Sequence, residues 1–277
     1  MSKSYRLLHG DCLELLDSLP AGSVDMIFAD PPYNLSNGGF TCQGGRMVSV
    51  NKGDWDKSEG IENDFQFHFD WLKACQRVLK ENGTLWVSGT YHSIYACGYA
   101  MQLLGYHVLN DICWFKPNAS PNLSCRFFTA SHETLLWARK SKNGKHTFNY
   151  QEMKDTSYPS DKLKADGKQM RSAWYIPTTP QSEKTFGKHP TQKPLALMER
   201  VVLSSTNKGD IVLDPFCGSG STGVAALKHE RKFVGIEQDE LYVDLSRLRL
   251  ADVSGISVFD GNLIQGTKNE VQHSISR

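Results

Sequence analysis

Ile211-Val-Leu-Asp-Pro-Phe-Cys-Gly-Ser-Gly-Ser-Thr222 reads as an apolar strand ending on a carboxylate, a turn carrying two glycines, and the start of a helix. Gly218 and Gly220 let the backbone approach a ligand closely, and a helix opening there presents free N–H groups. The turn lacks the closing Gly-Lys-Ser/Thr of a Walker loop and the full G-x-G-x-x-G spacing of a pyrophosphate fingerprint, so it suits a ligand without a diphosphate. Beyond that helix, Phe233-Val-Gly-Ile-Glu237 is a second strand ending in a carboxylate, placed as the acidic residue that takes ribose hydroxyls in a doubly wound sheet. The two strands point to an adenosine-containing cofactor and to an α/β fold of alternating strands and helices.

The other informative block lies near the amino end. Met26-Ile-Phe-Ala-Asp-Pro-Pro-Tyr-Asn34 feeds apolar and small residues into Asp30 at a strand's carboxyl end, where ligands bind in open α/β sheets. Pro31 and Pro32 remove two backbone donors and stiffen the turn, so its carbonyls are free to accept. Tyr33 adds a flat ring. A carboxylate, an outward carbonyl and an aromatic face match a planar ring bearing an exocyclic NH₂, the two acceptors taking its two N–H groups. A proline-stiffened surface turn with a helix-capping Asp would read the same way taken alone.

Outward from these blocks, strands are expected at Tyr5–Leu8, Val24–Ala29, Thr84–Val87, Asp111–Phe115, Thr134–Ala138, Ile211–Leu213 and Lys232–Ile236. Phe67, Trp71, Leu72, Cys75, Val78 and Leu79 recur at helical spacing with Gly83 as a stop, and further helices follow Pro194, Gly220 and Asp239. Leu35–Asn63 holds six glycines, too many for a packed element, and reads as a loop that closes over the site, with Asp54-Trp-Asp56 inside it. Arg139–Lys193 carries 12 Lys or Arg against 5 Asp or Glu, a local charge of +7 in a chain of net +1. A long irregular basic connection is the footprint expected for a polyanion, with Lys162, Lys164, Lys168 and Arg171 as its cations. Residues from Ser254 onward read as a loosely attached tail.

The 277 residues suffice for a sizeable core, and 39% hydrophobic against 22% charged residues excludes disorder. Near-neutral charge excludes a polycation held to nucleic acid or membrane by bulk charge. No long apolar run marks a leader or a span, so the chain reads as cytoplasmic. Seven scattered cysteines, without a Cys-x-x-Cys pair, read as buried apolar filler with neither metal nor disulfide role.

Asp30-Pro-Pro-Tyr33, Asp214-Pro-Phe-Cys-Gly-Ser-Gly220 and Lys188-His-Pro-Thr-Gln-Lys-Pro194 together resemble the S-adenosylmethionine-dependent DNA methyltransferases that modify exocyclic amino groups. With the Asp-Pro-Pro-Tyr block ahead of the glycine turn, the order is similar to their permuted β group. The resemblance covers roughly residues 5–252. It implies a Rossmann-like methyltransferase fold, a seven-stranded, mostly parallel sheet with helices on both faces and an inserted target-recognition segment. Residues 1–138 would form the catalytic half, 139–188 the recognition insertion, 189–253 the cofactor-binding half, and 254–277 the tail. Asp30, Pro31, Pro32 and Tyr33 would be the catalytic group. Asp30, Asp214, Phe216, Gly218, Ser219, Gly220 and Thr222 would line the cofactor pocket, with Glu237 on the ribose, Asp11 near the adenine, and Thr191 and Lys193 near the methionine end. Asp at the head of the tetrapeptide implies adenine N6 as the target, and the sequence looks like family members acting on GATC-type sites.

The resemblance further implies that DNA is the partner, that the target adenine leaves the duplex, and that no metal takes part. Tyr33 would stack on the extruded base, with Phe127, Phe128 or Trp114 opposite, and Lys116–Phe128 would share in reading DNA. It leaves a homodimer and a cognate restriction endonuclease open as partners. The alternatives are a cytosine-N4 enzyme, an enzyme acting on RNA adenine or a protein glutamine, a DNA-reading subunit without activity, and a dehydrogenase, the last disfavoured by the missing diphosphate spacing.

Overall fold

The computed structural model describes residues 4–33, 40–43, 46–49, 58, 60–259 and 262–265. Short apolar runs, mostly unbroken, produce the main sheet, formed by β1 (Tyr5–His9), β2 (Val24–Ala29), β5 (Leu79–Gly89), β6 (His107–Phe115), β7 (His132–Arg139), β8 (Ala173–Tyr175), β9 (Ile211–Asp214) and β10 (Lys232–Glu237). Their spatial order is β1-β10-β9-β2-β5-β7-β6-β8. Within this sheet β7 alone runs against the others, pairing antiparallel with β5 and β6. Two further pairs, β3 (Phe40–Gln43) with β4 (Arg46–Ser49) and β11 (Ile256–Phe259) with β12 (Asn262–Gln265), stand outside it.

The sheet therefore has eight strands where seven were expected. The extra strand, β8, is Ala173-Trp-Tyr175, paired with Cys113–Phe115. Three residues are too few to show a period, and what holds them is burial of Trp174. The basic connection is thus not an irregular loop. It contains helix α4 (Tyr150–Asp155) and β8, and it buries Met153, Trp174 and Ile176. Its Asp161 forms a buried ion pair with Arg200, Nη1 to Oδ2 2.6 Å, while Asn149 Nδ2 donates to the carbonyls of Leu203 and Thr206 at 2.7 and 2.8 Å.

Two apolar layers cover the sheet. Met26, Phe28, Trp86, Val212 and Phe233 point to one face, packed by α5 (Leu195–Ser205), α6 (Ser221–Lys228) and α7 (Glu240–Ser254). Ile27, Ala29, Leu85, Val87 and Leu213 point to the other, packed by α1 (Cys12–Ser18), α2 (Ile61–Val78) and α3 (Ile94–Leu103). The helices expected after Pro194, Gly220 and Asp239 are present. The α2 helix ends at Val78, before Gly83, which falls within an irregular stretch of β5. Helices α1 and α3 escaped sequence reading, the first because it is seven residues long. The expected closing role for Leu35–Asn63 and its Asp54-Trp-Asp56 lies outside the described residues, apart from β3, β4 and the start of α2. The segment after Ser254, read as a tail, contains β11 and β12.

Candidate active site

The strand order reverses between β9 and β2, the switch point at which open α/β sheets bind ligands beyond their carboxyl ends. Both sequence blocks end there. A cavity of about 700 Å³ is lined by Asp30, Pro31, Pro32 and Tyr33 after β2, Asp214 through Ser219 with Ser221 and Thr222 after β9, Glu237 at the end of β10, Asp11 after β1, and Thr191 and Lys193 before α5. The acid-and-phenol corner and the glycine turn are walls of a single cavity, of a size ordinary for a small-molecule site. Gly220 does not line it. It caps α6 instead, at φ +74°, where a Cβ would lie 3.0 Å from Ser246 Oγ.

The wall built by β9, β10 and the glycine turn is fixed by its own hydrogen bonds. Asp214 Oδ2 accepts from Thr222 Oγ1 at 2.6 Å and Oδ1 from Phe216 N at 3.0 Å. Burial nevertheless raises its pKa to about 7. Glu237 accepts from Gly218 N at 2.7 Å and Asp239 N at 2.9 Å, and burial moves its pKa up against those bonds. Gly218 sits at φ +53° with the His189 ring 3.2 Å from where a Cβ would stand, so a side chain would meet that ring. Asp11 caps α1, accepting from Leu13 N at 2.8 Å and Glu14 N at 3.2 Å. Thr191 donates its N–H to His189 Nδ1 at 3.2 Å, and His189 packs against Tyr242, ring centroids 4.2 Å apart.

The corner formed by Asp30 and Tyr33 differs from a simple acceptor pair. Tyr33 is 5% exposed, and its hydroxyl donates to Asp30 Oδ1. Lys193 Nζ donates to Asp30 Oδ2 and to the Tyr33 hydroxyl at 3.1 Å, and lies 5.3 Å from the Tyr33 ring centroid. Glu133 on β7 stands behind, its Oε2 3.3 Å from the Tyr33 hydroxyl, 3.4 Å from Ser88 Oγ and 3.6 Å from Lys193 Nζ, while its Oε1 accepts from Lys116 Nζ at 3.0 Å. Burial pushes the Asp30 pKa up against the pull of Lys193. Burial also opposes the Lys193 charge, yet Asp30 and Glu133 outweigh it and its pKa is raised.

Sequence reading missed Glu133, Ser88, His189 and Tyr242. Of these only His189 carried a signal, standing inside the Lys188–Pro194 block. Trp114 belongs to the core, 3% exposed, its indole N–H donating to the Ile176 carbonyl at 2.8 Å. Phe127 and Phe128 are exposed on the β6–β7 connection, which leaves the same edge of the sheet as the cavity. Lys164 is buried and donates to the carbonyls of Lys154 and Ala165, so it is no free cation, whereas Lys162, Lys168 and Arg171 are exposed.

Strand order, switch-point cavity and paired acidic walls together define a Rossmann-like methyltransferase. The family described as DNA methylase matches residues 24–248, and the chain belongs to it. It is 49% identical over 245 residues to the Type II methyltransferases M2.LlaDCHI of Lactococcus lactis subsp. cremoris and M2.DpnII of Streptococcus pneumoniae, covering 88% of each chain in both cases. To M2.MboI of Moraxella bovis it is 44% identical over 254 residues, 92% of this chain and 90% of that one. Among solved structures, the M1.HpyAVI–SAM complex aligns at TM-score 0.64 and 29% identity, covering 89% of this chain and 98% of that one. The chain is accordingly a DNA methyltransferase. No helix among the described residues is long and apolar enough to cross a membrane.

Proposed function

We propose that the protein transfers the methyl group of S-adenosylmethionine to the N6 amine of an adenine extruded from DNA, at a specific site and within a restriction-modification system. The observation that carries this reading is the Asp30 carboxylate standing in one cavity with Asp214 and Glu237. The cavity fits the cofactor in its residues: Glu237 for the ribose, the Gly218 backbone where a side chain would intrude, and Asp214 as a buried acid beside the reaction corner. Asp11, Phe216, Ser219, Thr222 and Thr191 complete its lining. When bound, S-adenosylmethionine supplies an electrophilic methyl group on a sulfonium.

The chain's own residues do the rest. The amine's lone pair is delocalised into the purine ring and attacks poorly. Asp30 and the Pro31 carbonyl accept its two N–H groups, which favours a tetrahedral nitrogen and directs the pair at the methyl group; positioning supplies most of the acceleration. The extra proton of the methylated amine leaves to Asp30 or to water. Tyr33 stacks on the base, and the exposed Phe127 and Phe128 lie on the DNA side. Residues 139–188 read the site. The Type II naming of the relatives supports the restriction-modification setting, a cognate endonuclease being the corresponding partner. A homodimer rests on the family resemblance alone.

Asp30→Ala, assayed with tritiated S-adenosylmethionine on duplexes carrying or lacking adenine in GATC-type sites, is expected to abolish transfer while calorimetry shows cofactor binding retained. Turnover near that of the unmodified protein would overturn the mechanism. Label recovered in cytosine would move the target to N4.

A further inference from the structure

Two requirements of that reading are met by a side chain that stands in the way. The amine needs an Asp30 oxygen and the base needs a face of Tyr33, yet Lys193 pairs with Asp30 Oδ2 and lies over the Tyr33 ring. Its side chain is 6% exposed, so it cannot simply retreat into water. Moving a buried cation without a new partner leaves an uncompensated charge in the interior, which is strongly unfavourable. A second carboxylate is already within reach. Glu133 Oε2 is 3.6 Å from Lys193 Nζ, and the side chain is 12% exposed. Lys116 holds the opposite oxygen, Oε1, at 3.0 Å, so Oε2 faces the corner.

We propose that Glu133 is a positioning residue that receives the Lys193 ammonium when the target amine takes its place on Asp30. The proposal rests on the adenine-methyltransferase reading. In it Lys193 moves by a short swing between two anions, and the corner stays charge-balanced throughout: Asp30 and Glu133 against Lys193 and Lys116. Nothing is oxidised, and no bond forms or breaks. Before DNA arrives Lys193 occupies Asp30 Oδ2 and pulls its pKa down against burial; afterwards that oxygen is free to accept. Tyr33 shares the exchange, since its hydroxyl lies between Asp30 Oδ1 and Glu133 Oε2.

The groups facing Lys193 Nζ are Asp30 and Tyr33 from the β2 end and Glu133 from β7, with Lys116 beyond Glu133 and Asp214 of β9 acting on Asp30. Removing the Glu133 charge leaves Lys193 on Asp30 and takes away one of the two anions that raise its pKa. Deprotonating Lys193 at alkaline pH should then release Asp30.

The test is Glu133→Gln, close in shape, measured in single turnovers across pH on adenine-containing duplex. The expected result is a methyl-transfer rate about tenfold lower at neutral pH, a deficit of about 1.4 kcal/mol. Cofactor affinity by calorimetry should stay within twofold, and the deficit should narrow as pH rises. Glu133→Asp, which keeps the charge on a shorter stem, should restore part of the rate and serves in its place if the glutamine variant does not fold. An unchanged rate, a deficit independent of pH, or no gain from aspartate would overturn the handover. Asp30→Ala separates the two claims: activity in that variant sinks the underlying reading, whereas inactivity beside a normal Glu133→Gln sinks only the role of Glu133.

Discussion

Asp214 provides a quantitative test of how the wall of the cavity is built. Its pKa rises from 3.8 to about 7 because burial outweighs the bonds from Thr222 and Phe216. At 1.36 kcal/mol per pH unit, that interval amounts to about 4 kcal/mol of destabilisation once the carboxyl is ionised. The sign follows from proton uptake. Between pH 3.8 and about 7 the folded chain holds a proton that the unfolded chain has lost, so stability falls as pH rises through this window and levels off above it. Asp214→Asn removes the ionisation while its carbonyl oxygen can still accept from Phe216 N, and Thr222 can turn its hydroxyl to Met198 Sδ, 3.5 Å away. Denaturant unfolding without cofactor should therefore find the variant more stable at pH 8 by about 2–4 kcal/mol, after allowing about 1 kcal/mol for one altered hydrogen bond. Near pH 5 the advantage should shrink to about 1 kcal/mol. Asp30, Glu237 and Glu183 are also shifted upward, so the difference between the two proteins, not either profile alone, is the readout. A variant equally destabilised at both pH values would refute the reasoning.

Two further outcomes follow from the basic insertion. Replacing Lys162, Lys168 and Arg171 with Gln should weaken duplex binding and reduce the slope of log affinity against log salt by up to about 2.7, at about 0.9 for each phosphate no longer neutralised; an unchanged slope would remove these cations from the interface. Asp161→Ala should lower unfolding stability by about 3–5 kcal/mol, because Arg200 would be left buried without its anion, although still stacked over Tyr158 and Trp174. A loss below about 1 kcal/mol, measured in urea, would show that the insertion is not pinned to α5 through this pair.

The parts of the site that were legible in sequence are those whose chemistry is local. A strand feeding Asp30 or Asp214 announces itself by a short unbroken apolar run, and a glycine turn by its composition. The helices after Pro194, Gly220 and Asp239 declare themselves through apolar spacing and capping, Asp239 accepting from Leu241 N at 2.9 Å. Glu133 gave no such signal. It lies on β7, which pairs antiparallel with β5, and its neighbours Tyr33, Ser88, Lys116 and Lys193 are 100, 45, 17 and 60 positions away, so only the sheet register brings them together. The basic run misled for a related reason. Counting its cations treats each as solvated, yet Lys164 serves two carbonyls and Lys193 the Asp30 carboxylate. Charge density reveals that a segment is basic; burial decides which charges a polyanion can reach.

The permuted order has a structural consequence for the two halves of the domain. Amino-terminal strands β1 and β2 do not touch; β10 and β9 slot between them, with Leu7 opposite Gly235 and Ile27 opposite Leu213. Chemistry is indifferent to this, since it needs only that Asp30 and Asp214 leave neighbouring strand ends. Folding is not. Before residues 211–237 arrive, β1 has no partner and β2 has one open edge, so the pairings of β1 with β10 and β2 with β9 close loops of 228 and 186 residues and belong to the slow, non-local class. The walls carrying Asp30 and Asp214 therefore belong to one sheet, not to two domains meeting at a cleft. The buried pair between Lys193 and Asp30 joins the segment before α5 to the end of β2 across the same seam. What positions the acid against the cofactor is the sheet itself, and the side-chain exchange proposed at Glu133 operates on a frame that does not need to move.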